Sequence, residues 1–269
     1  MKMFVLFFII HFAFSGCSQN RSLGYEFDLF KNTPNWKLAK AIENEDVDQI
    51  VTILKDVNVK INLQEPKYGQ TLLMLAVGND KLKSVKILLE HGAEQNILDS
   101  LKKAPIHEVT DLSMEKKHRV EILNLLLQYG ANPNNLLVRY DRKGDTMPYI
   151  TTPLKNAIGD LACTKVLLEH GADIYLKIRK NYSVWSDLLV LDSKIHQNIF
   201  VAKYIIVDMQ LLVPNPLSYH PLTNEPINAL FLLEKHRVYN DPEKQKAKDA
   251  ILDYLQKIDF PNNGVYKSK

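Results

Sequence analysis

The sequence predicts an all-α solenoid of about six helix-turn-helix repeats, and three observations carry that prediction. The hexapeptide LLEHGA occurs at Leu88–Ala93 and again at Leu167–Ala172, with a near copy, LLQYGA, at Leu126–Ala131. The glycines of these segments, Gly92, Gly130 and Gly171, stand 38 and 41 residues apart, an interval typical of stacked repeats. Ahead of each glycine, core-compatible residues recur at i, i+3 and i+4 (Val85, Leu88, Leu89; Leu123, Leu126, Leu127; Thr164, Leu167, Leu168), which makes one buried stripe on a helix.

Each of these endings has a partner upstream: GQTLLMLAV at Gly69–Val77, KAPIHEV at Lys103–Val109 and TTPLKNAI at Thr151–Ile158. With these the pattern resembles the ankyrin repeat, a unit of about 33 residues with G-x-T-P-L-H-x-A opening its first helix and LLxxGAdxN closing its second. The resemblance implies a helix pair per repeat joined to the next by a β-hairpin loop. It covers residues 34–260 and is strongest in the middle three units.

Taken in order, Thr33 and Pro34 read as N-cap and first helical residue of the array. Trp36 to Asn62 is the first repeat, with Leu38 and Ala41 on helix one and Ile50, Ile53 and Leu54 on helix two. The second is uninterrupted. The third carries extra residues around Leu112–His118, between its helices. The fourth follows a long hairpin insertion around Leu136–Tyr149 and has a shortened turn after Asp160. Ser183–Met209 is a fifth repeat with Trp185 and Leu188, and Pro226–Ile258 a sixth with Leu230, Ile251 and Leu255. Pro105, Pro153 and Pro226 pre-set φ in the first turn of helix one. The terminal units have charged outer faces, with Lys37, Lys40, Glu43 and Glu45 at one end and Lys244, Lys246, Lys248 and Asp253 at the other, as a capped stack requires.

The N-terminal stretch MKMFVLFFIIHFAFSGC combines one cation, Lys2, with a short apolar run and small residues, the pattern of a signal peptide and too short to span a bilayer. Phe14, Ser15, Gly16 and Cys17 resemble a bacterial lipoprotein lipobox, with Phe14 in place of the usual Leu. That resemblance implies a signal peptide over residues 1–16 and a lipidated Cys17. Ser18, where an Asp would retain a lipoprotein at the inner membrane, implies an outer-membrane protein facing the periplasm. Plain secretion with nearby cleavage is the alternative. Residues 17–33 read as a tether, within which YEFDLF at Tyr25–Phe30 is apolar enough to pack on the first repeat instead. Residues 261–269 read as a C-terminal tail.

Composition bounds the chemistry. The chain has 269 residues, 46% hydrophobic and 24% charged, with a formal net charge of +3 and both signs interspersed. That is an ordinary folded chain without the basic stripe of a nucleic-acid binder. Cys17 and Cys163 are the only cysteines, so no internal disulfide is expected once Cys17 is acylated, and Cys163 reads as a small buried hydrophobe. His107 and Glu108 begin an HE pair, but Asp111 stands where a zincin needs its second His. The resemblance gives His107 a backbone-bridging role, and makes His91 and His170 consensus residues. His118, His196, His220 and His236 have no ligand spacing. No nucleophile elbow or phosphate loop occurs, so no catalysis, metal or cofactor is expected.

Ankyrin repeats bind proteins through hairpin tips and the face of helix one. Carried onto this chain, the tips are Glu65–Gln70, Ser100–Lys103, Tyr140–Met147, Ile178–Tyr182 and Ser218–Asn224. The expected partner-binding residues are Tyr68, Gln70, Lys102, Lys103, Tyr140, Arg142, Lys143, Asp145, Tyr149, Tyr182 and Trp185, because aromatic and basic groups dominate interface energetics. Each could instead pack on its own hairpin, and Trp185 falls at the core-leucine register. The insertion RYDRKGDTMPY (Arg139–Tyr149) carries most weight, since stacking does not require it, and the extra residues near Leu112–His118 are the other place where the partner is expected to be read. The resemblance extends to ankyrin-repeat lipoproteins that act as immunity proteins against secreted antibacterial effectors such as lipases. The expectation is a monomeric envelope protein that neutralises or scaffolds one protein partner, touching membrane only through its lipid. A general scaffold with several weak partners is the runner-up, and an enzyme with an unrecognised site is the alternative of another class.

Overall fold

The computed structural model describes residues 24–139, 148–179, 182–189, 198–214, 218–219, 226–235 and 241–260. Helix pairs stack along one axis and share a single hydrophobic core running from Phe27 to Leu255. The pairs are α1 (Trp36–Glu43) with α2 (Val47–Leu54), α3 (Leu72–Gly78) with α4 (Leu82–Glu90), α5 (Pro105–Thr110) with α6 (Arg119–Gln128), and α7 (Pro153–Ala157) with α8 (Leu161–Glu169). Next come α9 (Val184–Leu189) with α10 (Asn198–Lys203), the latter continued by a π-turn at Tyr204–Asp208, and α11 (Ala229–Lys235) with α12 (Pro242–Lys257). Short antiparallel hairpins precede the last three pairs: β1 (Leu137–Arg139) with β2 (Tyr149–Thr151), β3 (Lys177–Arg179) with β4 (Tyr182–Ser183), and β5 (Ser218–Tyr219) with β6 (Pro226–Ile227). Among the described residues no helix is long and apolar enough to cross a membrane.

The repeated ending does one job three times. Gly92, Gly130 and Gly171 sit at φ +87°, +93° and +84°, where a side chain is disfavoured. They turn the chain so that the amides of Ala93, Ala131 and Ala172 donate to Leu88, Leu126 and Leu167 carbonyls at 2.8–2.9 Å, closing each helix two. The asparagines that follow fix the spacing between repeats. Asn62, Asn96 and Asn134 accept from the amides of Glu94, Asn132 and Asp173, each one repeat further on, at 2.7–3.0 Å.

The interhelical turns add a second ladder. Glu45 and Asp80 occupy left-handed backbone at φ 54° and 57°, and each carboxylate reaches forward to the next repeat. Glu45 accepts from the Lys83 amide at 3.0 Å, and Asp80 from Lys117 and His118 at 2.9 and 3.1 Å. Helices α4 and α6 lack a side-chain cap of their own; the preceding repeat satisfies amides at or beside their first turns.

Three boundaries differ from expectation. The array's first helix starts at Trp36 with Asn35 at the N-cap, not at Thr33. The Thr33 hydroxyl instead donates to the Phe30 carbonyl at 2.8 Å. Pro226 lies in β6, paired with Tyr219, and α11 begins after Asn228, whose side-chain oxygen accepts from the Leu230 amide at 2.7 Å. From Gly24 onward the expected tether is structured: Phe27 and Phe30 form a 3-10 turn buried against α1. The alternative packing of YEFDLF is therefore the observed one.

Candidate protein-interaction surface

Helix one and the hairpin before it form one edge of each repeat, and the edge between the third and fourth repeats holds a pocket of about 110 Å³. Lys103, His107, Asp111 and Leu112 line it from the third repeat, and Leu137, Tyr149, Thr151 and Asn156 from the inserted hairpin and α7. Leu112 is 36% and Tyr149 39% exposed, so an apolar and an aromatic side chain flank a polar floor. Nearby in sequence, Leu98, Leu101, Leu136 and Val138 are also exposed. Solvent-facing apolar groups beside convergent polar ones are what a protein partner covers on binding.

The floor is rigid because its groups hold one another. The Lys103 amine pairs with Glu108 at 2.7 Å. The His107 ring accepts from the Ala104 amide at 3.1 Å through Nδ1 and donates to the Asn135 carbonyl at 3.0 Å through Nε2. Burial pushes its pKa down to about 4, so the ring is neutral and bridges two repeats. Burial raises Asp111 less than Ser113, Lys103 and Arg119 lower it, and it stays an anion. The Thr151 hydroxyl donates to the Asn156 amide oxygen at 2.6 Å.

The tips are built the same way. The buried Glu65 carboxylate accepts from the Lys67, Tyr68 and Gln70 amides at 2.7–3.0 Å, and Asp99 accepts from Leu101 and Lys103 at 2.8 Å. Glu65, expected at the first tip, is thus its internal brace. The Tyr68 carbonyl receives the Ser100 amide at 2.8 Å, chaining one tip to the next.

Of the expected partner-binding residues, Lys102 is exposed at φ 64° and Tyr149 is exposed in the pocket. Tyr68, under the Lys67 amine, and Gln70 are half-buried, and Lys103 is committed to Glu108. Trp185 is not an anchor, contrary to expectation: it is 0% exposed and packs beside Tyr175, ring centres 6.1 Å apart, because its register puts it inside the stack. Tyr182 is described only through its backbone pairing with Arg179. Tyr140, Arg142, Lys143, Asp145 and Cys17 lie outside the described residues. Leu101 and Leu112 join the exposed edge; they fall within the expected tip Ser100–Lys103 and the expected insertion Leu112–His118, although neither is among the expected anchors.

Apart from Leu112 at the pocket, the insertion at 111–118, expected to help read the partner, is built into the stack. The Arg119 guanidinium donates to the Val109 and Asp111 carbonyls at 2.6 and 2.8 Å and also to Met114. The buried Lys116 amine donates to the Val77 and Gly78 carbonyls at 3.3 and 2.6 Å. Cys163 is fully buried, its thiol pushed up to about 12 by burial, an inert core position. Among the described residues no cluster of metal-ligating side chains occurs.

A stack of helix pairs with braced tips and a flanked pocket is a helical-repeat scaffold for protein recognition, of a generally non-catalytic kind. Residues 38–136 match the family model for ankyrin repeats, in three copies, and the helix pairs that follow continue the same all-α stack. An ankyrin repeat protein of fowlpox virus (strain NVSL) is 29% identical over 136 residues, 50% of this chain and 28% of that protein. One from Rickettsia bellii (strain RML369-C) is 30% identical over 105 residues, 38% of this chain and 15% of its own. A second fowlpox virus ankyrin repeat protein is 35% identical over 86 residues, 32% and 24% of the two chains. The chain thus spans under a third of the length of these relatives.

Proposed function

We propose that the protein captures one protein partner at the edge between its third and fourth repeats, with Tyr149 and Leu112 as anchors and the inserted hairpin as the specificity element. The pocket flanked by those two exposed side chains is the observation that carries this reading. Lys102 and Leu101 extend the same edge. Lipidation at Cys17 would hold the solenoid on the envelope, on the periplasmic face of the outer membrane. Sequestering a secreted antibacterial effector, such as a lipase, is the role we assign to that capture; export pattern and ankyrin repeats support it together.

Affinity purification from envelope extracts tests the reading. The intact chain should recover one stoichiometric partner, and Leu112→Ala with Tyr149→Ala should lose it while melting as the parent does. Recovery of many substoichiometric proteins, unaffected by these changes, would establish the general scaffold instead. Labelled palmitate should enter the intact chain and not Cys17→Ser.

A further inference from the structure

The segment Gly24–Phe30 lies along the helix-one side of three successive repeats. Phe27 and Phe30 are buried against α1. The Asn79 side chain, just past α3, donates to the Tyr25 carbonyl at 2.9 Å. The Tyr25 hydroxyl donates to Glu108 on α5 at 2.6 Å, and Lys103 pairs with the other oxygen of that carboxylate. The Tyr25 ring rests directly on Gly78. A Cβ there would meet ring carbons at 2.4 and 2.5 Å, so only glycine leaves room.

We propose that this face of the first three repeats is a recognition slot for a short segment of the pattern Tyr-x-Phe-x-x-Phe, its Phe-x-x-Phe part in a 3-10 turn, held closed in cis by residues 25–30. Each element reads the occupant as a binding site reads a peptide. Gly78 makes space for an aromatic ring, Asn79 reads the main-chain carbonyl and Glu108 reads the phenol. Phe27 and Phe30 supply apolar contact. This slot is separate from the Tyr149 pocket, although Lys103 touches both. A partner segment of the same chemistry gains access only when the strap lifts, which reduces apparent affinity by the open fraction.

Two measurements decide it. Hydrogen exchange on the intact full-length chain should show amides of residues 25–30 exchanging through local opening, about tenfold or more faster than those of α3. Exchange only at the rate of global unfolding would overturn the proposal, because the strap would then be ordinary core. In the second, a labelled peptide spanning Gly24–Asn32 is titrated by anisotropy. Tyr25→Ala with Phe27→Ala should bind it, and the intact chain should bind about a hundredfold more weakly if the strap is open about 1% of the time. Adding Gly78→Ala should abolish binding, whereas adding Tyr149→Ala should leave it unchanged, separating this slot from the edge pocket. A folded Tyr25→Ala, Phe27→Ala variant that ignores the peptide, or binding that survives Gly78→Ala, refutes the slot. If that variant does not fold, exchange on the intact chain alone decides between a strap that opens and ordinary core.

Discussion

The two insertions that break the repeat spacing, one interhelical and one in a hairpin, are held differently, although Leu112 of the first stays exposed beside the second. The extra residues at 111–118 are fixed from both sides: Arg119 and Lys116 fill the carbonyls of α5 and α3, and Asp80 takes the Lys117 and His118 amides. The hairpin from Leu136 to Tyr149 instead leaves Leu136, Val138 and Tyr149 facing solvent. An insertion that carries cations next to helix C-termini is recruited into the stack. One whose apolar groups stay exposed presents them to another molecule.

The largest effect should come from breaking the fixed insertion. Arg119→Ala leaves the Val109, Asp111 and Met114 carbonyls without their shared donor, and should cost about 3 kcal/mol in urea unfolding. A loss below about 1 kcal/mol would mean that the loop is not clamped.

The bridge beneath the edge pocket should titrate. The pKa of His107 is depressed from 6.5 to about 4 by burial, so protons favour the unfolded chain. Its contribution is full above pH 6.5 and is lost as pH falls through that value toward 4, about 3 kcal/mol in total. Comparing the pH dependence of stability with that of His107→Gln checks this: the variant should be less stable at pH 7 but flatter between pH 6.5 and 4.

The open hairpin should behave in the reverse way. Tyr149→Ala should move stability by less than about 1 kcal/mol while weakening partner capture by about thirtyfold, as an interface anchor does. Calorimetric titration against the purified partner reads both sides of that contrast. Smaller still, Asp80→Ala should cost about 1 kcal/mol by uncapping α6. Gly171→Ala, with open space around the added carbon, should cost about 1 kcal/mol through backbone conformation alone.

Much of this is legible in the sequence because repetition exposes it. The glycine endings, the buried stripes of α4, α6 and α8, the proline starts of α5 and α7 and the bridging role of His107 all follow from residues recurring at matched positions. The hairpin insertion falls where the interval lengthens. Trp185 is the ambiguous case: its residue type argues for an anchor, its register for the core, and burial follows register. Pro226 and Thr33 mislead because proline and threonine signal turns and strand edges as well as helix starts. Tyr25 pairing with Glu108 has no local signal at all, since the two are 83 residues apart.

By itself, then, the sequence determined the architecture: helix periodicity, endings and spacing are local properties, written within each repeat and multiplied by copying. Only the tertiary structure decided which surfaces remain open. That outcome depends on whether a charge finds a carbonyl in the previous repeat, as Lys116 does, and whether a distant segment covers a face, as residues 24–30 do. Such pairings arise from stacking, which brings together side chains whose separation along the chain carries no pattern.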